Sequence, residues 1–122
     1  MGVIGPRGEN VTVAAIIPAK NEARNLVHVL PKIPSLVDEL ILVDGHSTDK
    51  TVEVAKLLAP SVQIVAQSGN GKGDALRTGF QVATSDIIVM LDADGSTDPD
   101  EIPAFVDALV SGADFVKGSR FL

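Results

Sequence analysis

Short apolar segments alternate with amphipathic segments along the chain. The apolar segments are rich in Val and Ile and show little in–out alternation, which is typical of parallel strands covered on both faces. We predict five strands, at Val11–Ile17, Glu39–Val43, Val62–Ala66, Ile87–Leu91 and Ala113–Val116.

The segments between the strands carry helix signals: polar capping residues, and apolar positions that recur every three to four residues. Phe80 and Phe105 fall on the apolar faces of the last two helices, and Gly112 is a suitable stop for the last one. The four helices are expected to run from the cap Asn21 to Leu30, from the caps Ser47–Asp49 to Leu58, over Lys72–Ala83, and from Pro99 to Val110.

Strands that alternate with helices, joined by right-handed crossovers, predict an α/β fold. The expected architecture is a Rossmann-like, doubly wound, mostly parallel sheet of about five strands over residues 11–122, preceded by a loose arm at residues 1–10. The chain stops soon after the fifth strand, as a domain truncated at its C-terminus would. An uncovered edge strand is open to pairing with a second copy, so we expect a homo-oligomer.

Composition narrows the function classes. The chain has 122 residues and no cysteine, which excludes a disulfide scaffold, a thiolate zinc site and a cysteine nucleophile, and makes a cytoplasmic location the default. A net charge of −6 argues against a nucleic-acid partner. No apolar run is long enough to span a bilayer, and the first ten residues do not resemble a signal peptide.

The candidate chemistry lies where the strands end, because open parallel sheets bind ligands at the carboxyl ends of their strands. Asp92 and Asp94 follow the fourth strand and are separated by one residue, so both carboxylates can face one cleft and hold a hard divalent cation. Asp98, Asp100 and Glu101 are better explained by the positive end of the next helix dipole.

The other strand exits leave alternatives open. Lys72 lies in a glycine-rich loop that matches neither a P-loop nor a dinucleotide fingerprint; it either contacts a phosphate at the helix start or is solvated. Asp44 either binds a ribose hydroxyl or a base N–H, or has a local role in an Asx-turn or a cap. His46 is interpreted as a loop residue. Glu22 is either an acid in the first turn of the helix or a residue of the site, and Arg77 either pairs with Asp74 or is solvated.

Taken together, five segments resemble the GT-A glycosyltransferases of family 2, in particular the inverting dolichyl-phosphate and polyprenyl-phosphate mannosyl- or glucosyltransferases. The segments occur in the family's order and with similar spacing, and they span nearly the whole chain after residue 11. They are Ile16–Glu22, Leu40–Thr51, Gly71–Arg77, Asp86–Asp94 and Gly112–Phe121.

The resemblance implies an inverting enzyme that transfers a sugar from a GDP- or UDP-linked donor. Pro18 and Glu22 would border the base and ribose, and Asp44 would contact one of them. The implied acceptor is a polyprenyl phosphate, which would place the enzyme at a membrane surface.

The resemblance also assigns roles around the donor diphosphate. Asp92-Ala93-Asp94 looks like the family's DxD motif, with Asp94 binding Mg²⁺ or Mn²⁺ and Asp92 supporting the ribose or the metal. Lys72 would lie near the donor nucleotide, and Arg120 would line the edge towards the acceptor. A divalent cation suits this chemistry because it neutralises the charge that develops on the leaving diphosphate.

The sequence departs from the family pattern at Gly45, where many relatives carry a second Asp, at His46, where Gly is common, and at Ser96, where Gln is frequent. Relatives also continue beyond this point into an acceptor-binding half. The alternative is therefore a non-catalytic nucleotide-binding fragment. A receiver domain would need an acidic pair after the first strand, and a nucleotidyltransferase a glycine-rich loop there; the chain has neither.

Overall fold

The computed structural model describes residues 3–5, 8–111 and 120–121 of the chain. Two short 3₁₀ turns, Leu30–Lys32 and Pro99–Glu101, flank the first and last helices. The strands and α-helices are, in chain order, β1 (Val3–Ile4), β2 (Asn10–Val11), β3 (Val13–Ala19), α1 (Ala23–Val29), β4 (Glu39–Asp44), α2 (Thr51–Leu58), β5 (Gln63–Ala66), α3 (Lys72–Val82), β6 (Ile87–Met90), α4 (Ile102–Val110) and β7 (Arg120–Phe121).

The main sheet has five parallel strands in the order β5-β4-β3-β6-β7. The chain moves outward from β3 through β4 to β5, then returns through α3 to the other side of β3 and continues with β6. The order reverses between β3 and β6, which is the point where open α/β sheets bind their ligands. The predicted doubly wound α/β fold is confirmed.

Both faces of the sheet are covered, which explains why the strands lack alternation. Successive residues of β3 belong to different cores: Ala15 and Ile17 pack with α1, α2 and α4, whereas Ala14 and Ile16 pack with α3. Every β3 residue except Pro18 is buried. A strand with no solvated face has no position where a polar side chain would be stabilised.

The predicted first strand is divided in two. Thr12 separates the two parts, and its N–H and hydroxyl both donate to Asp86 Oδ2, at 3.0 and 3.1 Å. The residues before it pair antiparallel with β1, with Val3 opposite Val11. Part of the segment expected to be a loose arm is therefore a short hairpin, and Val3 packs against the core.

The prediction that Asn21 caps the first helix is wrong. Asn21 adopts a left-handed conformation with φ of 56°, and its side-chain oxygen accepts hydrogen bonds from the backbone N–H groups of Thr48 and Asp49, at 2.8 and 3.3 Å. The start of α1 is instead capped from the α2 side, since Asp49 accepts from Ala23 N and Thr51 Oγ1 accepts from Glu22 N. The predicted cap of α2 among Ser47–Asp49 is displaced by one residue: the N-cap is Lys50, which makes no side-chain capping bond, although Asp49 Oδ1 accepts from Thr51 N at 2.9 Å.

Two predicted core positions are more exposed than expected. Phe80 and Phe105 lie at the outer edges of their helix stripes, whereas Ala75, Val106 and Val110 are buried. The predicted fifth strand, Ala113–Val116, and the predicted helix stop at Gly112 lie outside the described residues. The described continuation is β7, whose backbone pairs with β6 through Ile87–Arg120 and Ile88–Phe121. None of the helices in the part of the chain that the structure describes is both long and apolar enough to cross a bilayer.

Candidate functional site

A cavity of about 270 Å³ opens at the point where the strand order reverses. It lies between the carboxyl ends of β3 and β6, beside the first turn of α3. Five of the residues singled out from the sequence line it: Pro18, Glu22, Lys72, Asp92 and Asp94. The remaining lining residues are Ala19, Lys20, Gly45, Gln67, Asn70, Gly71, Ala75 and Ala93.

Pro18 marks the opening of the cavity. The last residue pair between β3 and β6 is Ile16 with Met90, closed by a bond from Leu91 N to Ile16 O at 3.0 Å. Pro18 comes two residues later, where β3 is paired with β4 and no longer with β6. A proline in this central strand therefore lies beyond the ladder with β6, and the two strands separate to form the cavity walls.

The two aspartates after β6 are held by a tight turn. Gly95 has a φ of 83°, which only glycine adopts easily, and Ser96 N donates to Asp94 Oδ1 at 2.9 Å. Hydrogen bonds from the Ser96 side chain and then from its backbone N–H lower the pKa of Asp94, with a smaller contribution from the charge of Lys72. The Ser96 hydroxyl also lies 3.1 Å from Asp92 Oδ2. One hydroxyl proton serves one carboxylate at a time, so only the backbone bond to Asp94 is permanent.

Lys72 crosses the cavity mouth to Asp92. Its Nζ forms an ion pair with Asp92 Oδ1, and the two side chains are 56% and 33% exposed. An ion pair this open to solvent contributes at most about 1 kcal/mol. A ligand that binds either Lys72 or Asp92 more strongly can therefore separate the pair at a small cost in free energy.

The acidic loop after β4 supports the rim formed by the β3 exit. The Thr51 hydroxyl and, to a smaller extent, backbone N–H groups lower the pKa of Asp49, which holds the starts of α1 and α2 together. Glu22, at the junction, accepts a hydrogen bond from Asn25 at 2.8 Å. The bonds from Ala23 N to Asp49 and from Glu22 N to Thr51 join residues 26 and 29 positions apart, so the rim depends on tertiary contacts as well as local ones.

Gln67 was not singled out from the sequence, although it lines the cavity. Its side chain is nearly buried, at 5% exposure, and its Nε2 donates to Gly71 O at 2.8 Å. A Cβ on Gly45 would lie 3.0 Å from Gln67 Oε1, so this position, one of the departures from the family pattern, faces the amide. The only local signal was a polar residue directly after an apolar strand.

Three candidate residues of the sequence do not face this cavity within the described structure. Asp44 accepts a hydrogen bond at 3.3 Å from Ser47 N, three residues on, which fits the capping alternative better than an Asx-turn, and Asp44 is not among the lining residues. His46 contacts Gly69 O at 3.1 Å in the loop after β5. Arg77 pairs with Asp74 at 2.6 Å. The side chain of Arg120 lies outside the described part of the structure.

The cavity chemistry is compatible with a divalent cation. Mg²⁺ is commonly bound by one or two carboxylates together with water and substrate phosphates, so Asp92 and Asp94 are a sufficient protein contribution. Across residues 3–5 and 8–111, no group of three or more His, Cys, Asp or Glu side chains is placed to hold a metal ion by itself. Any cation here would therefore need further oxygen ligands.

Residues 14–122 match the family model described as glycosyl transferase family 2. Because the match covers most of the chain, the protein belongs to that family, and the resemblance seen in the sequence is confirmed.

Two relatives illustrate the relationship. An uncharacterized glycosyltransferase of Mycobacterium tuberculosis is 40% identical over 113 residues, covering 93% of this chain and 50% of the relative. The dolichol-phosphate mannosyltransferase of Pyrococcus furiosus is 32% identical over 117 residues, covering 90% of this chain and 33% of that protein. The chain thus spans half the length, or less, of these relatives.

Solved structures of similar fold belong to the same class. Glucosyl-3-phosphoglycerate synthase from Mycobacterium tuberculosis, in complex with phosphoglyceric acid, superposes with a TM-score of 0.76 at 30% identity, covering 84% of this chain and 41% of that one. The same synthase in complex with Mn²⁺, UDP-glucose and phosphoglyceric acid gives a TM-score of 0.75 at 29% identity, covering 84% and 40%. The chain therefore has the fold of GT-A glycosyltransferases.

Proposed function

We propose that this chain is the donor-binding part of an inverting glycosyltransferase that uses a nucleotide-diphosphate sugar and a divalent cation. The observation that carries the proposal is the convergence of Lys72, Asp92 and Asp94 on one cavity where the strand order reverses. Two carboxylates and one ammonium group suit a metal-bound diphosphate better than they suit an uncharged ligand.

In the proposed complex, Asp94 and Asp92 hold Mg²⁺ or Mn²⁺ at the end of β6. Bound there, the cation supplies neutralisation of the charge that develops on the leaving nucleoside diphosphate. Lys72 exchanges Asp92 for a diphosphate oxygen, which the weak ion pair permits. This exchange needs only the rotation of one flexible, largely exposed lysine side chain.

The base and ribose are assigned to the β3 side of the cavity. Pro18 and Glu22 line that wall, so they are placed to contact the nucleoside. For Asp44 to take part, its carboxylate would have to leave Ser47 N, a bond of 3.3 Å at a partly buried position. GDP- and UDP-linked donors both remain candidates; the UDP complexes of the synthase favour uridine.

The acceptor is proposed to be a phosphorylated molecule. The name of the Pyrococcus furiosus relative points to a polyprenyl phosphate, which would bring the protein to a membrane surface. The synthase complexes favour a second candidate, phosphoglyceric acid. Either acceptor attacks through its own oxygen, and we assign Arg120 to the acceptor edge. The alternative function is donor binding without transfer by this chain.

The donor site is tested by thermal unfolding and calorimetric titration with UDP and GDP, each with and without Mn²⁺. A nucleotide at about 100 times its Kd should stabilise the protein by about 2.7 kcal/mol. We expect this shift to need Mn²⁺ and to be lost in Asp94→Asn. Asp100→Asn, an exposed carboxylate in the turn before α4, is the matched control and should behave as the wild type.

The outcomes separate the proposals. Absence of a shift with either nucleotide, or an equal shift in Asp94→Asn, would refute the donor site. Incubation with a labelled nucleotide sugar and either polyprenyl phosphate in vesicles or phosphoglyceric acid then tests transfer, and the anomer of the product tests inversion. Binding without transfer to either acceptor would support the non-catalytic alternative.

A further inference from the structure

The glycine-rich loop between β5 and α3 is held by a hydrogen bond from a side chain in the wall of the cavity, that of Gln67. We infer that Gln67 is a positioning residue, whose buried amide fixes this loop and thereby holds Lys72 at the cavity. The role in donor binding rests on the proposed function, but the effect on the loop does not.

Gln67 is itself firmly anchored. Its backbone N–H donates to Asp44 O at 3.0 Å, which extends the pairing of β4 and β5 by one residue. Its side chain is 5% exposed, so the amide has little freedom to find other partners. The side chain therefore projects from a fixed point on the sheet into the loop.

The hydrogen bond of Gln67 reaches the residue at the helix start. Nε2 donates to Gly71 O at 2.8 Å, and the same carbonyl accepts from Ala75 N at 3.1 Å, the bond that begins α3. Gly71 has a φ of 86° and a ψ of 163°, an extended conformation with positive φ that residues other than glycine rarely adopt. Lys72 follows immediately, so the position of its backbone depends on this bond.

Two further contacts hold the tip of the same loop. Gly69 N donates to Asp74 Oδ2 at 2.9 Å, and Gly69 O contacts His46 Nε2 at 3.1 Å. Arg77 is the main cause of the lowered pKa of Asp74, which keeps that carboxylate charged and able to accept. The His46 contact is exposed, but the Asp74 bond is partly buried, as the Gln67 bond is. We assign the main positioning role to Gln67 because its bond reaches Gly71, the residue directly before Lys72.

The variant Gln67→Met removes the donor and keeps a similar volume. Losing a buried hydrogen bond to the helix start should raise the Kd for UDP or GDP with Mn²⁺ about tenfold. Gln67→Glu places a carboxylate oxygen against Gly71 O, so this variant should bind the nucleotide no more tightly than Gln67→Met does. Gln63→Met, the same change at the exposed first residue of β5, should bind the nucleotide as the wild type does.

A double-variant cycle distinguishes positioning from general destabilisation. If Gln67 acts through Lys72, Gln67→Met should weaken nucleotide binding little further once Lys72→Met is present. A purely structural role would weaken binding by the same factor in both backgrounds. Equal affinity of Gln67→Met and the wild type, or effects that multiply in the double variant, would overturn the inference.

Hydrogen exchange of the protein without ligand tests the positioning of the loop even if the proposed function is wrong. The amides of Gly69 and Ala75 should exchange about tenfold faster in Gln67→Met, while amides in β3 and β4 keep their rates. If the wild type binds neither nucleotide, the donor site is wrong and this measurement alone decides. Unchanged exchange at both amides would then refute the positioning of the loop.

Discussion

Gly79 lies where α3 packs tightly against the central strand of the sheet. A Cβ built on it would lie 2.7 Å from Ile16 Cγ2 and 2.9 Å from Ile16 Cδ1. Carbon atoms in contact prefer about 3.5–4.0 Å, so Gly79→Ala forces either the helix or Ile16 to move. Ile16 is fully buried in β3, so its displacement would disturb the packing around it.

The expected effect is the difference between two opposing contributions. Overpacking of a core costs about 1–3 kcal/mol, and replacing a mid-helix glycine by alanine returns up to about 1 kcal/mol. Because two carbons of one buried side chain fall below 3.0 Å, we expect a net loss of about 1–2 kcal/mol. For a chain of this size, the melting temperature should fall by roughly 5 °C.

Gly73→Ala is the matched control, since it makes the same change in the same helix. A Cβ there would meet no heavy atom within 4 Å, so the variant should be as stable as the wild type or about 0.5 kcal/mol more stable. Urea unfolding followed by circular dichroism measures both free energies. If Gly79→Ala were stabilised as much as Gly73→Ala, the close approach of α3 to β3 would be refuted.

Two further predictions concern stability. Leu26→Ala, at a fully buried position of α1, should lower the free energy of unfolding by about 2–5 kcal/mol. Val27→Ala, at the neighbouring position that is 45% exposed, should change this free energy by less than about 1 kcal/mol in the same urea assay. Similar losses in the two variants would contradict the orientation of α1. Asp49, whose pKa is lowered in the folded state chiefly by the Thr51 hydroxyl, should stabilise the protein at pH values above the ordinary 3.8 and lose this contribution as the pH falls through its folded pKa. The stability advantage of the wild type over Asp49→Asn should therefore shrink on acidification, and an advantage independent of pH would be inconsistent with this linkage.

The placement of the candidate site follows from element order. An open parallel sheet with right-handed crossovers has helices on both faces only if its strand order reverses once, and the two strands flanking that reversal expose their carboxyl ends to one crevice. Asp92 and Asp94 follow one of these strands and Pro18 lies near the end of the other, so local patterns were enough to bring them together. Lys72 joins them because α3 is the crossover that leads into β6.

The contacts that support the site were not predictable in the same way. Asn21 stands before an apolar helical pattern, where an Asn usually caps, but its oxygen bonds to Thr48 and Asp49 across the next loop. Gln67 looks like an ordinary loop residue, and its burial depends on how Gly71 and Gly45 surround it. In both cases the tertiary fold determines the hydrogen-bond partner of the side chain, and local sequence propensity does not predict it.

The charges of the cavity explain how an acidic protein could accept an anionic donor. The chain carries a net charge of −6, and within the cavity the carboxylates of Glu22, Asp92 and Asp94 face the ammonium groups of Lys20 and Lys72. A diphosphate that entered the cavity without a cation would be repelled by the excess of carboxylates, whereas a bound divalent cation would make the local charge positive. Lys72 pairs with Asp92, so a cation that takes the place of the lysine at Asp92 would favour its release towards the diphosphate. Cation binding and donor binding would then be coupled through Lys72, and the loop that holds Lys72 would determine the strength of this coupling.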